Sequence, residues 1–216
     1  MSRNVLRLFW ISLLLVSACA PGKVELPSFP GGDIRSAIAE KKAVTDMEAT
    51  FSITFEKADT AMHGDGALTI ADTGDLDLRV YSLGFLAMEL TSRDGVVRSK
   101  PPLDAKRKTM LTVGLKDCIF WWNMEGFSVD EDGDAYIIRN RERTVWVDKM
   151  SFLPVRQVVH LAEGKDLRIS YQNPVKMNGR WVQSQIRIEY VPYAVSLTVN
   201  SLGVRPAGAV CVYCSL

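Results

Sequence analysis

The chain is poor in the groups on which most enzymes depend. Its 216 residues include two histidines, His63 and His160, and four cysteines. Neither His-Glu-x-x-His nor Gly-x-Ser-x-Gly occurs. A serine nucleophile needs a positioned base beside it, and no grouping in the sequence supplies one. His63, next to Gly64, reads as a turn residue. His160, after Val158-Val159, reads as an outer-face strand residue. The run Asp130-Glu131-Asp132-Gly133-Asp134 lacks the glycine at position six and the glutamate at position twelve of a calcium loop, so it reads as a hairpin turn with solvated acids. Cys211-Val212-Tyr213-Cys214 stands alone at the end of the chain. It has neither the βα context of a redox site nor two further zinc ligands, and reads as a local disulfide or a frayed tail. Cys118, before Ile119-Phe120-Trp121-Trp122, reads as a buried small hydrophobe. The expectation is a protein that is not an enzyme and carries no metal or cofactor.

Net charge is also scarce. Lys and Arg number 26 against 25 Asp and Glu. That balance gives no basic stripe for nucleic acid, so no nucleic-acid partner is expected. A disordered tail is excluded as well, because 47% of the residues are hydrophobic.

Long apolar runs are missing too, with one informative exception. Leu8 to Val16 is an apolar run of nine residues, preceded by Arg3 and Arg7 and followed by Ser17 and Ala18. Charged, apolar and small regions in that order form a secretory signal peptide. A membrane-spanning helix needs roughly 20 apolar residues, and Pro21, Gly22, Pro27, Pro30, Gly31 and Gly32 interrupt any such helix. Val16-Ser17-Ala18-Cys19 resembles the lipobox of bacterial lipoproteins. That resemblance implies cleavage before Cys19, acylation of its thiol and a lipid anchor in the envelope. Two or more acyl chains anchor stably where one is marginal. Ala20, where aspartate would mark inner-membrane retention in enterobacteria, implies the outer membrane. The expected division is a signal peptide at 1–18, a lipidated cysteine and flexible Pro/Gly/Ser linker at 19–32, a folded domain at 33–203 and a tail at 204–216.

What the chain has in abundance is alternation. Asp33 is a candidate N-cap for a short helix to about Met47, with Ile34, Ala37, Ile38 and Val44 on one side. The period then changes to two. Phe51, Ile53 and Phe55 alternate with polar residues, as do Leu76, Leu78 and Val80, then Leu86, Met88 and Leu90. Leu167, Ile169 and Tyr171, Ile186, Ile188 and Tyr190, and Val195, Leu197 and Val199 repeat the pattern later. Such strands bury one face and wet the other. His63-Gly64-Asp65-Gly66, Asp72-Thr73-Gly74-Asp75, Arg93-Asp94-Gly95, Asp132-Gly133-Asp134 and Asn178-Gly179 read as turns, giving an antiparallel meander. Pro102 to about Leu115 reads as a helix over the sheet. Two short helices cannot cover some ten strands of flat sheet, so the sheet should curl into a partial or complete barrel and leave an apolar cavity. Adjacent Trp121 and Trp122, read as strand residues, would face opposite ways, so at most one could enter that cavity. Arg139, Arg141 and Arg143 with Glu142 read as a solvated strand face or as contacts for anionic head groups.

The order of these segments from roughly Asp33 to Gly203 resembles the lipoprotein-localisation (LolA/LolB-like) family. The similarity rests on Met47-Glu48-Ala49-Thr50-Phe51-Ser52-Ile53, Gly66-Ala67-Leu68-Thr69-Ile70, Asp77 to Gly84, Leu153-Pro154-Val155, Leu167 to Tyr171, and Gly179-Arg180-Trp181 with Ile186-Arg187-Ile188. It implies a mainly β fold, with a strongly curved antiparallel sheet forming an unclosed β-barrel lidded by short helices. It further implies a cavity for lipoprotein acyl chains or phospholipid, a periplasmic carrier protein as partner, and a loop that inserts into the membrane. Candidate cavity residues are Phe51, Phe55, Leu78, Val80, Trp146, Ile169 and Ile188. Ser82-Leu83-Gly84-Phe85-Leu86 falls where the inserting loop is expected, with Leu83 or Phe85 at its tip; the same residues could simply continue a strand. Val182-Gln183-Ser184 departs from the family pattern, in which a proline follows the Gly-x-Trp stretch. The expectation is an outer-membrane lipoprotein, facing the periplasm, that receives or inserts lipoprotein or lipid. The alternative is a structural or assembly lipoprotein that uses the same fold, with a filled core, to hold partner proteins.

Overall fold

The structure, a computed structural model, describes residues 26–28, 32–58 and 60–206. The expected signal peptide, Cys19, most of the linker, the tail beyond residue 206 and the Cys211/Cys214 pair lie outside the described residues.

Asp33 caps the first helix, α1 (Ile34–Lys41), by accepting hydrogen bonds from the backbone N–H groups of Arg35 and Ser36. Ile34 and Ile38, one turn apart, are its buried residues. The helix ends at Lys41, about six residues short of the expected Met47. The β-branched Val44 and Thr45 begin strand β1 (Val44–Lys57) after a two-residue reversal, so Met47 is a strand residue. Next come β2 (Thr60–Ala71), β3 (Leu76–Ser82), β4 (Phe85–Arg93) and β5 (Val96–Lys100). A helical segment follows: α2 (Ala105–Thr109), one π-helical stretch (Met110–Gly114) and α3 (Leu115–Ile119). The chain then adds β6 (Ser128–Asp132), β7 (Ala135–Arg139), β8 (Arg143–Asp148), β9 (Pro154–His160), β10 (Asp166–Met177), β11 (Arg180–Tyr190) and β12 (Tyr193–Pro206).

All twelve strands form one antiparallel sheet in the order β5-β4-β3-β2-β1-β12-β11-β10-β9-β8-β7-β6, not closed into a barrel. Two meanders are therefore joined where β1 pairs with β12, from Val44 opposite Pro206 to Lys57 opposite Tyr193. The ends of the order are β5 and β6, which are consecutive in sequence. Residues 101–127 must consequently run from one edge of the sheet to the other. They do so across the inner face, where Met110, Leu111 and Leu115 are fully buried.

Alternation sets that inner face. Phe51 and Ile53 on β1, Leu68 and Ile70 on β2, Leu76, Leu78 and Val80 on β3, and Leu167 and Ile169 on β10 are all buried in one core cluster. One turn assignment needs correction. His63-Gly64-Asp65-Gly66 is inside β2, and the chain reverses directly after Lys57, because β1 and β2 remain in register from Asp46–Ala71 to Lys57–Thr60. The two glycines are there for closeness. A Cβ on Gly66 would collide with the Phe51 ring, and one on Gly64 with the Tyr81 carbonyl.

Candidate functional site: an apolar cavity and an exposed hairpin tip

The inner face of the sheet is treated differently along its width. Over β10 and β11 the helical segment lies directly on the strands. Gly114 makes this possible: a Cβ there would come within 2.9 Å of Ile188 and 3.3 Å of Leu167. Polar anchors hold the segment in place. The Arg143 guanidinium donates to the Asp117 carboxylate at 3.0 Å and to the Asn123 carbonyl, with both charged side chains almost fully buried. Burial pushes the Asp117 carboxyl up, and Arg143 offsets that in part. The buried Tyr171 hydroxyl sits 3.3 Å from the Cys118 carbonyl and donates to it. Cys118 is a buried free thiol whose pKa is raised by burial. The expected solvated role of Arg143 is therefore corrected; it is the buried partner of an acid on the helix.

Between α1 and the central strands the inner face is not filled. A cavity of about 770 Å³ lies there, within the roughly 300–1,000 Å³ typical of small-molecule sites. Met47, Ala49 and Phe51 of β1, Leu68 of β2, Ile186 of β11 and Leu197 of β12 line its sheet side. Trp121 and Trp122 line it as well. Both can do so because they are not strand residues. They follow the C-terminus of α3 in a turn, and their rings meet edge to face at 5.7 Å. Gly66 leaves room for the Phe51 ring to pack against the β2 backbone.

The cavity rim carries charge from two sides. Lys41, the last residue of α1, holds its Nζ 5.8 Å from the Trp121 ring centroid and 5.5 Å from that of Trp122. Arg180 lies across the rim at the start of β11. Burial lowers the pKa of the Lys41 amine. Glu40 opposes the shift, and the Arg180 charge adds to it.

A second feature lies at the end of the β3–β4 hairpin. Leu83 is 95% exposed and Phe85 is 78% exposed. Leu83 and Gly84 form the turn with φ of +52° and +82°. A leucine in the left-handed region is strained, and one so exposed gains nothing from burial. An asparagine or aspartate would satisfy both demands better.

The residues read from sequence as cavity-lining separate into three groups. Phe51 lines the cavity. Leu78, Val80, Ile169 and Ile188 are buried in the core away from the cavity lining, and Ile188 lies under Gly114, so these positions are filled by the protein's own side chains. Phe55 is half-buried against that core and also outside the lining. Trp146 is on the other face. It alternates with the buried Val145 and Val147, pairs with Ile137 and Arg156, and lies under the Arg156 guanidinium at 4.0 Å. Its placement inside the cavity is corrected on that parity. Of the two tryptophans the sequence allowed at most one into the cavity, and both line it. Leu68, Ile186, Leu197, Lys41 and Arg180 were not singled out from sequence. Alternation marked Ile186 and Leu197 as inner-face, but nothing local says which inner-face residues a helix will cover.

No family model matches the chain, and no curated protein matches it in sequence. Solved structures match in fold. A LolA superfamily protein of Nitrosomonas europaea superposes with a TM-score of 0.53 at 11% identity, over 79% of this chain and 93% of the other. A DUF1329 family protein of Desulfovibrio piger gives a TM-score of 0.53 at 12% identity, over 87% of this chain and 96% of the other. The chain thus has the LolA-like fold, an open antiparallel half-barrel with helices against its inner face.

Proposed function

We propose that this protein is a non-enzymatic envelope lipoprotein that binds acyl chains in the cavity between α1 and the sheet and passes them to a membrane. The observation that carries the reading is the cavity itself. The chain has side chains enough to fill the inner face under Met110–Ile119, yet leaves about 770 Å³ open next to Trp121, Trp122, Leu68 and Leu197. A protein that used this fold only to hold partner proteins would gain stability by filling that space. Hydrocarbon entering it gains about 0.8 kcal/mol per buried methylene. Directional transfer then requires only a modest difference in affinity between a donor, such as a periplasmic carrier, and this acceptor.

The exposed Leu83–Phe85 tip supports the second half of the reading. Two large apolar side chains held out on a tight hairpin suit the hydrocarbon boundary of a bilayer, where their exposure becomes burial. Anchoring through an acylated Cys19 in the outer membrane would keep tip and cavity facing the periplasmic leaflet.

The test is native mass spectrometry of the full chain, released from a neutral detergent and titrated with an acylated peptide. Saturable binding of one acylated peptide is expected, and it should be lost when the cavity is blocked by Ala37→Phe on α1. A bare protein mass at every concentration would sink the acyl-binding reading. In a parallel vesicle-transfer assay, Leu83→Glu with Phe85→Glu should abolish transfer while leaving acyl binding unchanged.

A further inference from the structure

The cavity wall is apolar, but Lys41 and Arg180 bring two cations to its rim, with Asp33 and Glu40 as the acids there. Lys41 and Arg180 come from separate elements, α1 and β11, and both border the same space. Among the described residues neither makes a salt bridge. Lys41 is half-buried with its amine over the faces of Trp121 and Trp122, at 5.8 and 5.5 Å. The two charges repel one another closely enough that Arg180 disfavours protonation of Lys41. Two acids share the rim. Asp33 is engaged in capping α1, accepting from the N–H groups of Arg35 and Ser36 and from the Ser36 hydroxyl. Glu40 precedes Lys41 in the chain, lies exposed, and is the one acid acting on that amine. Lys41 is partly out of water while Arg180 is exposed, and a half-buried amine with a second cation on the same rim is stabilised by an anion placed between them. The arrangement has the parts of an amphiphile receptor: a hydrocarbon slot, two aromatic rings, and two donors at its opening.

We propose that Lys41 and Arg180 receive the oxyanion head of an acyl lipid, a carboxylate or phosphate, whose chain lies along the cavity between Trp122, Phe51 and Leu197. This rests on the acyl-binding function proposed above and adds the head-group class. Arg180 would offer a planar two-donor fork and Lys41 a point charge backed by the rings, so the oxyanion would be met from opposite sides of the rim. The head group would also remove the repulsion between the two cations.

Four probes separate the possibilities in native mass spectrometry of the full chain: palmitate, methyl palmitate, palmitoyl lysophosphatidate and inorganic phosphate. Palmitate or lysophosphatidate should bind about tenfold more tightly than the uncharged ester. Whichever binds more tightly identifies the head as carboxylate or phosphate. Lys41→Met combined with Arg180→Met should abolish the preference for the anionic lipids over the ester. Lys41→Arg, which keeps the charge, should retain the preference. Equal binding of palmitate, lysophosphatidate and ester by the native protein would overturn the head-group assignment alone. So would a preference that survives the double substitution, or inorganic phosphate that binds as well as lysophosphatidate. If none of the three lipids bound, the acyl-binding reading would fall with it.

Discussion

Two regions of one inner face invite comparison. Over β10 and β11, residues 105–119 lie against the strands so closely that Gly114 has no room for a methyl group, and a buried Arg143–Asp117 pair ties the helix down. Over β1, β11 and β12 the eight-residue α1 stands off, and the space beneath it stays open. The difference lies in the contact. Gly114 lets the longer segment rest on Ile188 and Leu167. The shorter one is held by the Asp33 cap, by Ile34 and Ile38, and by the Lys42 ammonium, which donates to the Met124 carbonyl at 3.2 Å, and none of these fills the space beneath it.

The comparison can be broken in graded ways. The largest effect is expected at Asp117→Ala, which leaves Arg143 buried without its partner and should cost about 3–5 kcal/mol in urea unfolding. A cost below about 1 kcal/mol would mean that the pair is not what pins the segment. Leu111→Ala should follow at about 2–5 kcal/mol, because Leu111 is fully buried in the filled region. Leu202→Ala, on the half-buried cavity wall, should cost about 1 kcal/mol or less while weakening acyl binding; equal costs at the two sites would erase the distinction between filled and open regions. Gly114→Ala forces a methyl group toward Ile188 and should destabilise by about 1–3 kcal/mol. Ala37→Phe, the cavity-blocking change on α1, should move stability by less than about 1.5 kcal/mol and still abolish ligand binding.

The smallest effect concerns pH. The Lys41 amine has a folded pKa lowered from 10.5, mainly by burial. The unfolded chain therefore holds that proton more tightly than the folded one, and protonation at Lys41 works against folding. Lys41 should penalise the ligand-free protein fully below its folded pKa, and the penalty should fade as the pH rises toward 10.5. Lys41→Met should raise the melting temperature at neutral pH and flatten the alkaline end of the stability curve. An unchanged melting temperature would place the amine in water rather than over the tryptophans.

Much of the sheet was legible in the sequence because alternation is a local signal. Phe51, Ile53, Leu76, Leu78 and Val80 declare an inner face by period alone, and Asn178-Gly179 or Asp94-Gly95 declare a reversal by their backbone freedom. The errors came where a local signal had two meanings. Gly64 and Gly66 read as turn residues, but they serve close approach across strands, since a glycine marks both. Val44 fitted a helical face by spacing, but with Thr45, also β-branched, it began β1. Trp121 and Trp122 were placed on a strand, so only one ring was allowed into the cavity; the helix continued to Ile119 and a turn delivered both.

The sequence by itself determined the class of fold: strand periodicity and helix capping at Asp33 need no distant partner to be read. It also exposed the oddity of Leu83-Gly84-Phe85, an apolar pair around a turn glycine. Only the tertiary structure decided which inner-face residues are core and which are cavity wall. That choice depends on where residues 101–127 cross the sheet, and the crossing is fixed by the pairing of β1 with β12, which sends β5 and β6 to opposite edges. Ile188 and Ile186 sit two residues apart on the same strand face. The π-helical stretch lies over the first, and the second faces the open cavity. No local property of either isoleucine distinguishes them, because what differs is the element packed above.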